Sequence, residues 1–294
     1  AQSGAEAIIY VHGYKHTRVD IVRRFGQFLA MANLPPSIKP FMFHWPSGRG
    51  ATSYFPAYAS ANSDEVVTDF EHLLYSLRNS GVMSIHLMLH SMGARVFFNA
   101  WEHLKHMFLP AGVEDILEED DPEDAVTTRL RASTQEMSRD RFGTSSDDSS
   151  PMYNHKLFLS NLILLNPDYE LSIFQQEAAS MREYSPRMTL YVDRRDAALK
   201  LAQACTSRMR LGYLCEPLCD DHGRVVDIDI IDTTDLDSNI GGSYHSFWNI
   251  NRSVVDDIHE LITNQVRAGF RSSRLILIEG VYRFIQTPSH IIEV

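Results

Sequence analysis

Apolar residues follow two rhythms along this chain. Short, nearly unbroken runs at Ala7 to Val11, Phe41 to Trp45, Ile85 to Leu89, Lys156 to Leu165 and Met188 to Val192 read as strands buried on both faces. Between them the apolar positions return every three or four residues, the spacing of one-sided helices. Val19, Val22, Phe25, Phe28 and Leu29 mark one such stripe; Val66, Val67, Phe70, Leu73, Leu74 and Leu77 mark another; Val254, Val255, Ile258, Leu261 and Ile262 mark the last clear one. The punctuation agrees. Pro35 and Pro36 close the first helix, Ser63 is placed to cap the second, and Gly81 stops it. Further helices are expected around Ser172 to Glu183 and from Ala197. Val225 to Ile231 alternates Asp227 and Asp229 with apolar residues, which predicts an edge strand with one wet face. Leu275 to Ile278 predicts a late strand outside the basic core.

Strands separated by helices imply a mostly parallel central sheet with helices on both faces. Reactive groups in such sheets gather at the carboxyl ends of the strands. The rhythm breaks over residues 106–155. Glu114 to Asp124 is strongly acidic, four arginines follow, and Gly143 to Ser150 is rich in Gly, Ser and Asp. This predicts a charged insertion in a single domain spanning the 294 residues: either a lid-like, partly flexible segment or a solvated loop without a role.

The most informative junction is His90-Ser91-Met92-Gly93, at the end of the run Ile85 to Leu89 and at the start of a helical pattern. A serine at a sharp strand-to-helix turn is pushed out of the sheet top, and a small residue two places on lets the helix pack close behind it. This is the geometry of a nucleophile elbow. Leu89 stands where that motif usually has its first glycine. A serine hydroxyl needs an imidazole to take its proton and a carboxylate to orient the imidazole, in the chain order Ser, acid, His. Ser91, Asp196 and His245 satisfy that order; Asp168 and Asp193 are alternative acids, and Asp168 is also placed to cap the helix after it. The oxyanion would be met by the backbone amide of Met92 and by one near Gly13 or Tyr14, after the first strand. His12 is expected to shape that loop rather than move protons.

Five pieces together resemble the lipase/esterase-like family of α/β hydrolases of uncharacterised function. They are Val11-His12-Gly13-Tyr14; Phe43-His44-Trp45-Pro46-Ser47 with Gly48; His90 through Arg95; Tyr191-Val192 with Asp196-x-Ala198-Leu199; and His245-Ser246-Phe247. The resemblance implies an α/β-hydrolase fold, Ser91 as nucleophile, Asp196 as acid and His245 as base. It implies hydrolysis of carboxylic esters through an acyl-serine intermediate, with no cofactor or metal. Thioesters and amides use the same apparatus, and a catalytically silent assembly subunit is the reading from another class. The chain departs from the family at Phe55-Pro56-Ala57-Tyr58-Ala59, where an acidic and basic pair is usual, and in its longer insertion.

The remaining composition narrows the partners. A formal net charge of −11 disfavours nucleic acid and anionic lipid, and leaves small-molecule or lipid esters, with peripheral lipid contact at neutral interfaces. No apolar stretch is long enough to span a bilayer. Three cysteines suit a reducing compartment, cytoplasm or organelle matrix, better than a disulfide framework. Cys215-x-x-x-Cys219 with His222 has the look of half a zinc site, and no second pair stands near enough to complete four ligands. A leader removed in processing would leave the same N-terminus, and the oligomeric state is not legible in the sequence.

Overall fold

Strands that are apolar on both sides must be covered on both sides, and the period of two decides which residue meets which cover. In the computed structural model, which describes residues 5–48, 53–111, 156–236, 245–272 and 274–285, eight strands form one sheet. They are β1 (Ala5–Val11), β2 (Ile38–Phe43), β3 (Val82–His90), β4 (Phe158–Leu165), β5 (Met188–Val192), β6 (Asp229–Asp232), β7 (Leu275–Ile278) and β8 (Val281–Phe284). Their order is β2-β1-β3-β4-β5-β6-β8-β7, and every pairing is parallel except β7 with β8. The described helices are α1 (Arg18–Ala32), α2 (Tyr54–Ala61), α3 (Asp64–Asn79), α4 (Gly93–Leu104), α5 (Leu171–Arg182), α6 (Ala197–Thr206) and α7 (Arg252–Thr263).

Alternate residues of the strands feed two cores. Ile9, Val11, Leu87, Leu89, Leu164 and Leu190 pack with α3, α4 and α5. Ile8, Tyr10, Met88, Ile163, Leu165 and Tyr191 pack with α1 and α7 on the other face. The fold is therefore an α/β sandwich of three layers. No helix among the described residues is long and apolar enough to cross a membrane.

Several elements differ from the sequence reading. In α1 the buried stripe is Ile21, Phe25, Phe28 and Ala32, while Val19 and Val22 are exposed. The helix ends at Asn33, which takes a left-handed cap (φ 48°), before either proline. β2 starts at Ile38 rather than at Phe41, and Pro40 is accommodated because β2 is an outer strand with one free edge. The loop expected before Ser63 contains α2, whose Pro56 lies in the first turn, where a missing N–H costs nothing. β6 is not a wet edge: it lies between β5 and β8, and buried Asp229 is held by Arg267 at 2.9 Å and Arg271 at 3.2 Å. The late strand belongs to the main sheet, in a hairpin with β8, which the sequence reading missed. Ser63 does cap α3, accepting from the Val66 amide, and Gly81 turns the chain at φ 90°.

The predicted insertion falls mostly on residues 112–155, outside those described. Its stems are paired: Leu109 N–H donates to Leu157 O at 2.9 Å and Leu157 N–H to Met107 O at 2.8 Å. The chain thus leaves and re-enters the body at one point between α4 and β4.

The tightest packing lies where α4 meets β1. A Cβ on Gly93 would stand 2.5 Å from the Val11 carbonyl oxygen and 2.6 Å from that of His12, both rigid backbone atoms. Gly93→Ala is expected to destabilise the protein by about 1–3 kcal/mol through forced backbone shifts, read as a lower midpoint in urea denaturation. An unchanged midpoint would show that α4 can move away from β1 freely.

Candidate active site

Because the strands are parallel, the segments after β1, β3, β4, β5 and β6 emerge on one rim. Hydrogen bonds continue the ladder past the strand ends and pin that rim: Ser91 N–H to Leu165 O (3.0 Å), Asn166 N–H to Tyr191 O (3.0 Å) and Thr233 N–H to Val192 O (2.8 Å). Ser91 has φ 53°, a left-handed conformation that costs a side-chain-bearing residue roughly 1–2 kcal/mol. Its carbonyl is held from two sides, accepting from Ala94 N–H at 3.1 Å and Asp168 N–H at 3.0 Å. The turn is thus a strained elbow kept in place by its surroundings. Leu89, in the place of the usual first glycine, is buried in the core and does not prevent the turn.

The loop after β1 lies directly against the elbow. A Cβ on Gly13 would be 2.7 Å from the Ser91 Cβ. His12 fixes this loop. Its Nδ1–H reaches the Gly13 carbonyl at 2.8 Å, its Nε2 accepts from Trp45 N–H at 3.3 Å, and the Trp45 indole donates to the His12 carbonyl at 2.8 Å. In a trans peptide the amide after a carbonyl points the opposite way. Holding the Gly13 carbonyl on His12 therefore also fixes the direction of the Tyr14 N–H. Burial pushes the His12 pKa down to about 4, so the ring stays neutral.

Asp196 and His245 are in contact, with Nδ1 and Oδ2 2.5 Å apart. Asp196 is fully buried. Its Oδ1 accepts from the amides of Ala198 and Leu199, both at 2.9 Å, so the same carboxylate caps α6. Its Oδ2 accepts from Asn166 Nδ2 at 2.6 Å as well as from the imidazole. Burial acts to lower the His245 pKa, but the Asp196 charge and hydrogen bond outweigh it and the pKa is raised above the ordinary 6.5. His245 packs on His90, the residue before Ser91, with ring centroids 4.8 Å apart. Ser91 Oγ and the His245 ring are not hydrogen-bonded to each other, a contact that commonly tightens only around substrate.

The alternative acids are occupied elsewhere. Asp168 meets Arg210 Nε at 3.2 Å, Tyr54 OH at 3.0 Å and Arg95 at 3.9 Å. It does not cap α5, whose N-cap residue is Glu170. Asp193 accepts from the Arg195 amide at 2.7 Å; burial raises its carboxyl pKa to about 6, against the pull of Arg195.

Three groups around the site were missed in the sequence. Asn166, left-handed at φ 42°, supplies a donor to Asp196; an Asn straight after a strand was a signal for a special backbone position. Behind the elbow, Glu170 bridges Arg95 (2.7 Å) and Arg210 (2.9 Å), and the Arg95 guanidinium lies 4.1 Å above the Tyr58 ring. Arg95 was visible as a lone cation in an apolar helix; nothing in the sequence marked Arg210. Tyr213 donates to the Asp196 carbonyl at 2.5 Å. Cys215 and Cys219 are free, partly buried thiols, and no group of three metal-ligating side chains occurs among the described residues.

A mostly parallel sheet with a serine on a sharp strand-to-helix turn at its rim is the arrangement of the α/β hydrolases. Residues 1–264 match the family model described as alpha/beta hydrolase of unknown function (DUF900), and the chain belongs to that family. The β7–β8 hairpin lies beyond the matched residues. No curated protein and no solved structure matches the chain.

The electrostatics carry a signed prediction. A raised folded pKa means that protonated His245 adds stability in full below the ordinary value of 6.5, and that this is lost as pH climbs through the raised value. Asp196→Asn removes the nearest charge and leaves only the smaller pull of Asp168 against burial, so the His245 pKa is expected to fall in an NMR titration. A value unchanged from wild type would break the assigned pairing.

Proposed function

We propose that this protein is a single-domain serine hydrolase acting on carboxylic esters, small or lipid. The observation that carries the proposal is the Asp196–His245 pair at 2.5 Å, packed through His90 against a strained Ser91 on the same sheet rim. His245 Nε2 takes the proton of Ser91 Oγ as the oxygen attacks the ester carbonyl. Asp196 keeps Nδ1 protonated, so Nε2 is the nitrogen with the free lone pair. The tetrahedral oxyanion is met by the amides of Met92 and of the Gly13–Tyr14 loop. The tetrahedral species collapses to acyl-Ser91 while the imidazolium gives its proton to the leaving alcohol. Water then attacks the acyl-enzyme with His245 as base, and the acid and free serine are released. No step calls for a cofactor.

A fluorophosphonate probe and a series of p-nitrophenyl esters of rising acyl length test this. Wild type is expected to be labelled at Ser91 and to hydrolyse at least one ester. Ser91→Ala is expected to lose the label and to lower kcat by roughly four to six orders of magnitude. The rate should rise with pH through the His245 pKa, above 6.5, because only the neutral ring accepts the proton. Equal labelling of Ser91→Ala would refute the nucleophile assignment. Folded wild type that neither labels nor hydrolyses would favour a silent assembly subunit, and turnover of thioesters or amides alone would move the substrate class.

A further inference from the structure

His90 is used by none of the steps above, although it lies at their centre. It is fully buried at the end of β3. Its Nε2 stands 2.9 Å from the main-chain carbonyl oxygen of His245. A carbonyl can only accept, so Nε2 carries the ring proton and Nδ1 is the bare nitrogen. Nδ1 is buried with no hydrogen-bond partner among the described residues, and a Cβ on Gly13 would stand 3.0 Å from it. The ring contacts two other imidazoles. His245 is 4.8 Å away at 47°, and His16 is 5.7 Å away and nearly parallel at 19°. Trp248 completes the packing at 5.9 Å.

We infer that His90 is a positioning residue for His245: its Nε2–H holds the main-chain carbonyl of the base, while Asp196 holds the other end of the same residue at Nδ1. Two anchors on one residue restrict rotation about its Cα–Cβ bond. They stem from different parts of the rim, β3 for the carbonyl and the β5–α6 junction for the ring. A single anchor would leave Nε2 free to swing on a cone around the Asp196 contact. Misplacement by an ångström is enough to matter for proton transfer.

The anchor works only while His90 stays neutral in one tautomer. Burial, then the neighbouring His245 and His16, hold its pKa well below 6.5, and Arg24 acts in the same direction. His90 therefore remains uncharged when its neighbour becomes imidazolium. Its bare Nδ1 has no route to compete for the proton, since no donor or acceptor among the described residues meets it.

For the activity arm this inference rests on the hydrolase reading; for the structural arm it does not. His90→Leu keeps apolar bulk without the donor, and His90→Gln places an amide N–H at the same reach. His90→Leu is expected to lower kcat on a p-nitrophenyl ester about ten- to a hundredfold with KM within about twofold, and His90→Gln to recover most of that loss. Equal losses in both variants, or none in either, would reduce His90 to packing and overturn the inference. If the variants do not fold, wild type decides. NMR of the protein labelled with 15N-histidine is expected to show His90 neutral and protonated at Nε2 throughout the range in which His245 titrates. A proton on Nδ1, or titration near the ordinary histidine value, would remove the carbonyl contact and the inference with it. Wild type without turnover but with this tautomer would sink the hydrolase reading and leave the anchor standing.

Discussion

The carboxylate of Asp196 is where separate parts of the chain are tied into one site. Four donors converge on it: two amides from the first turn of α6, the Asn166 side chain from the end of β4, and the His245 ring from the segment before α7. Charge-assisted hydrogen bonds of this kind are short and each fixes direction as well as distance. A buried carboxylate with fewer donors would take up a proton instead of orienting an imidazole. Capping α6 and orienting His245 are thus one arrangement seen from two sides. The turn Leu211–Tyr213 closes it from behind, where Gly212 leaves no room for a side chain against Leu199 and Asn166.

A second polar cluster supports the elbow. Arg95 and Arg210 face Asp168 and Glu170 with all four side chains buried, two charges of each sign. Ion pairs taken out of water this completely repay little net stability, because desolvation offsets most of the attraction. Their effect is geometric. Arg95 lies one turn beyond Ser91 on α4, and Asp168 donates its amide to the Ser91 carbonyl. The cluster therefore locks the elbow helix to the loop after β4. That loop carries Asn166, which donates to Asp196.

Much of the fold was legible because it rests on local patterning. The runs ending at Val11, Leu89, Leu165 and Val192 read as buried strands by their length and composition, and their alternation with helices implied a parallel sheet. The errors came where tertiary context outweighs local pattern. The α1 stripe was read out of phase because Val19 and Val22 are apolar yet lie on the solvent face. β6 looked half wet because two aspartates alternate with apolar residues, but Arg267 and Arg271 neutralise the buried one. α2 was hidden by small residues and Pro56, and its packing depends on α3 and α4 rather than on its own moderate helix preference.

The candidate site divides in the same way. Chain order and strand ends named Ser91, His245 and three possible acids, since an elbow and a rim are consequences of local turns and parallel strands. Which aspartate meets His245 depended on contacts between residues 49 apart in the chain. Asp168 and Asp193 carry the same chemistry but are held by other groups, Arg210 and Tyr54 for the one and Arg195 for the other. The sequence by itself determined the sheet, its rim and the serine turn, because hydrophobic period and backbone sterics act over a few residues. The partner of the imidazole, the hold on its main chain and the ionic lock behind the elbow were decided by tertiary structure alone, because buried polar groups are satisfied by whatever the fold brings within hydrogen-bonding reach.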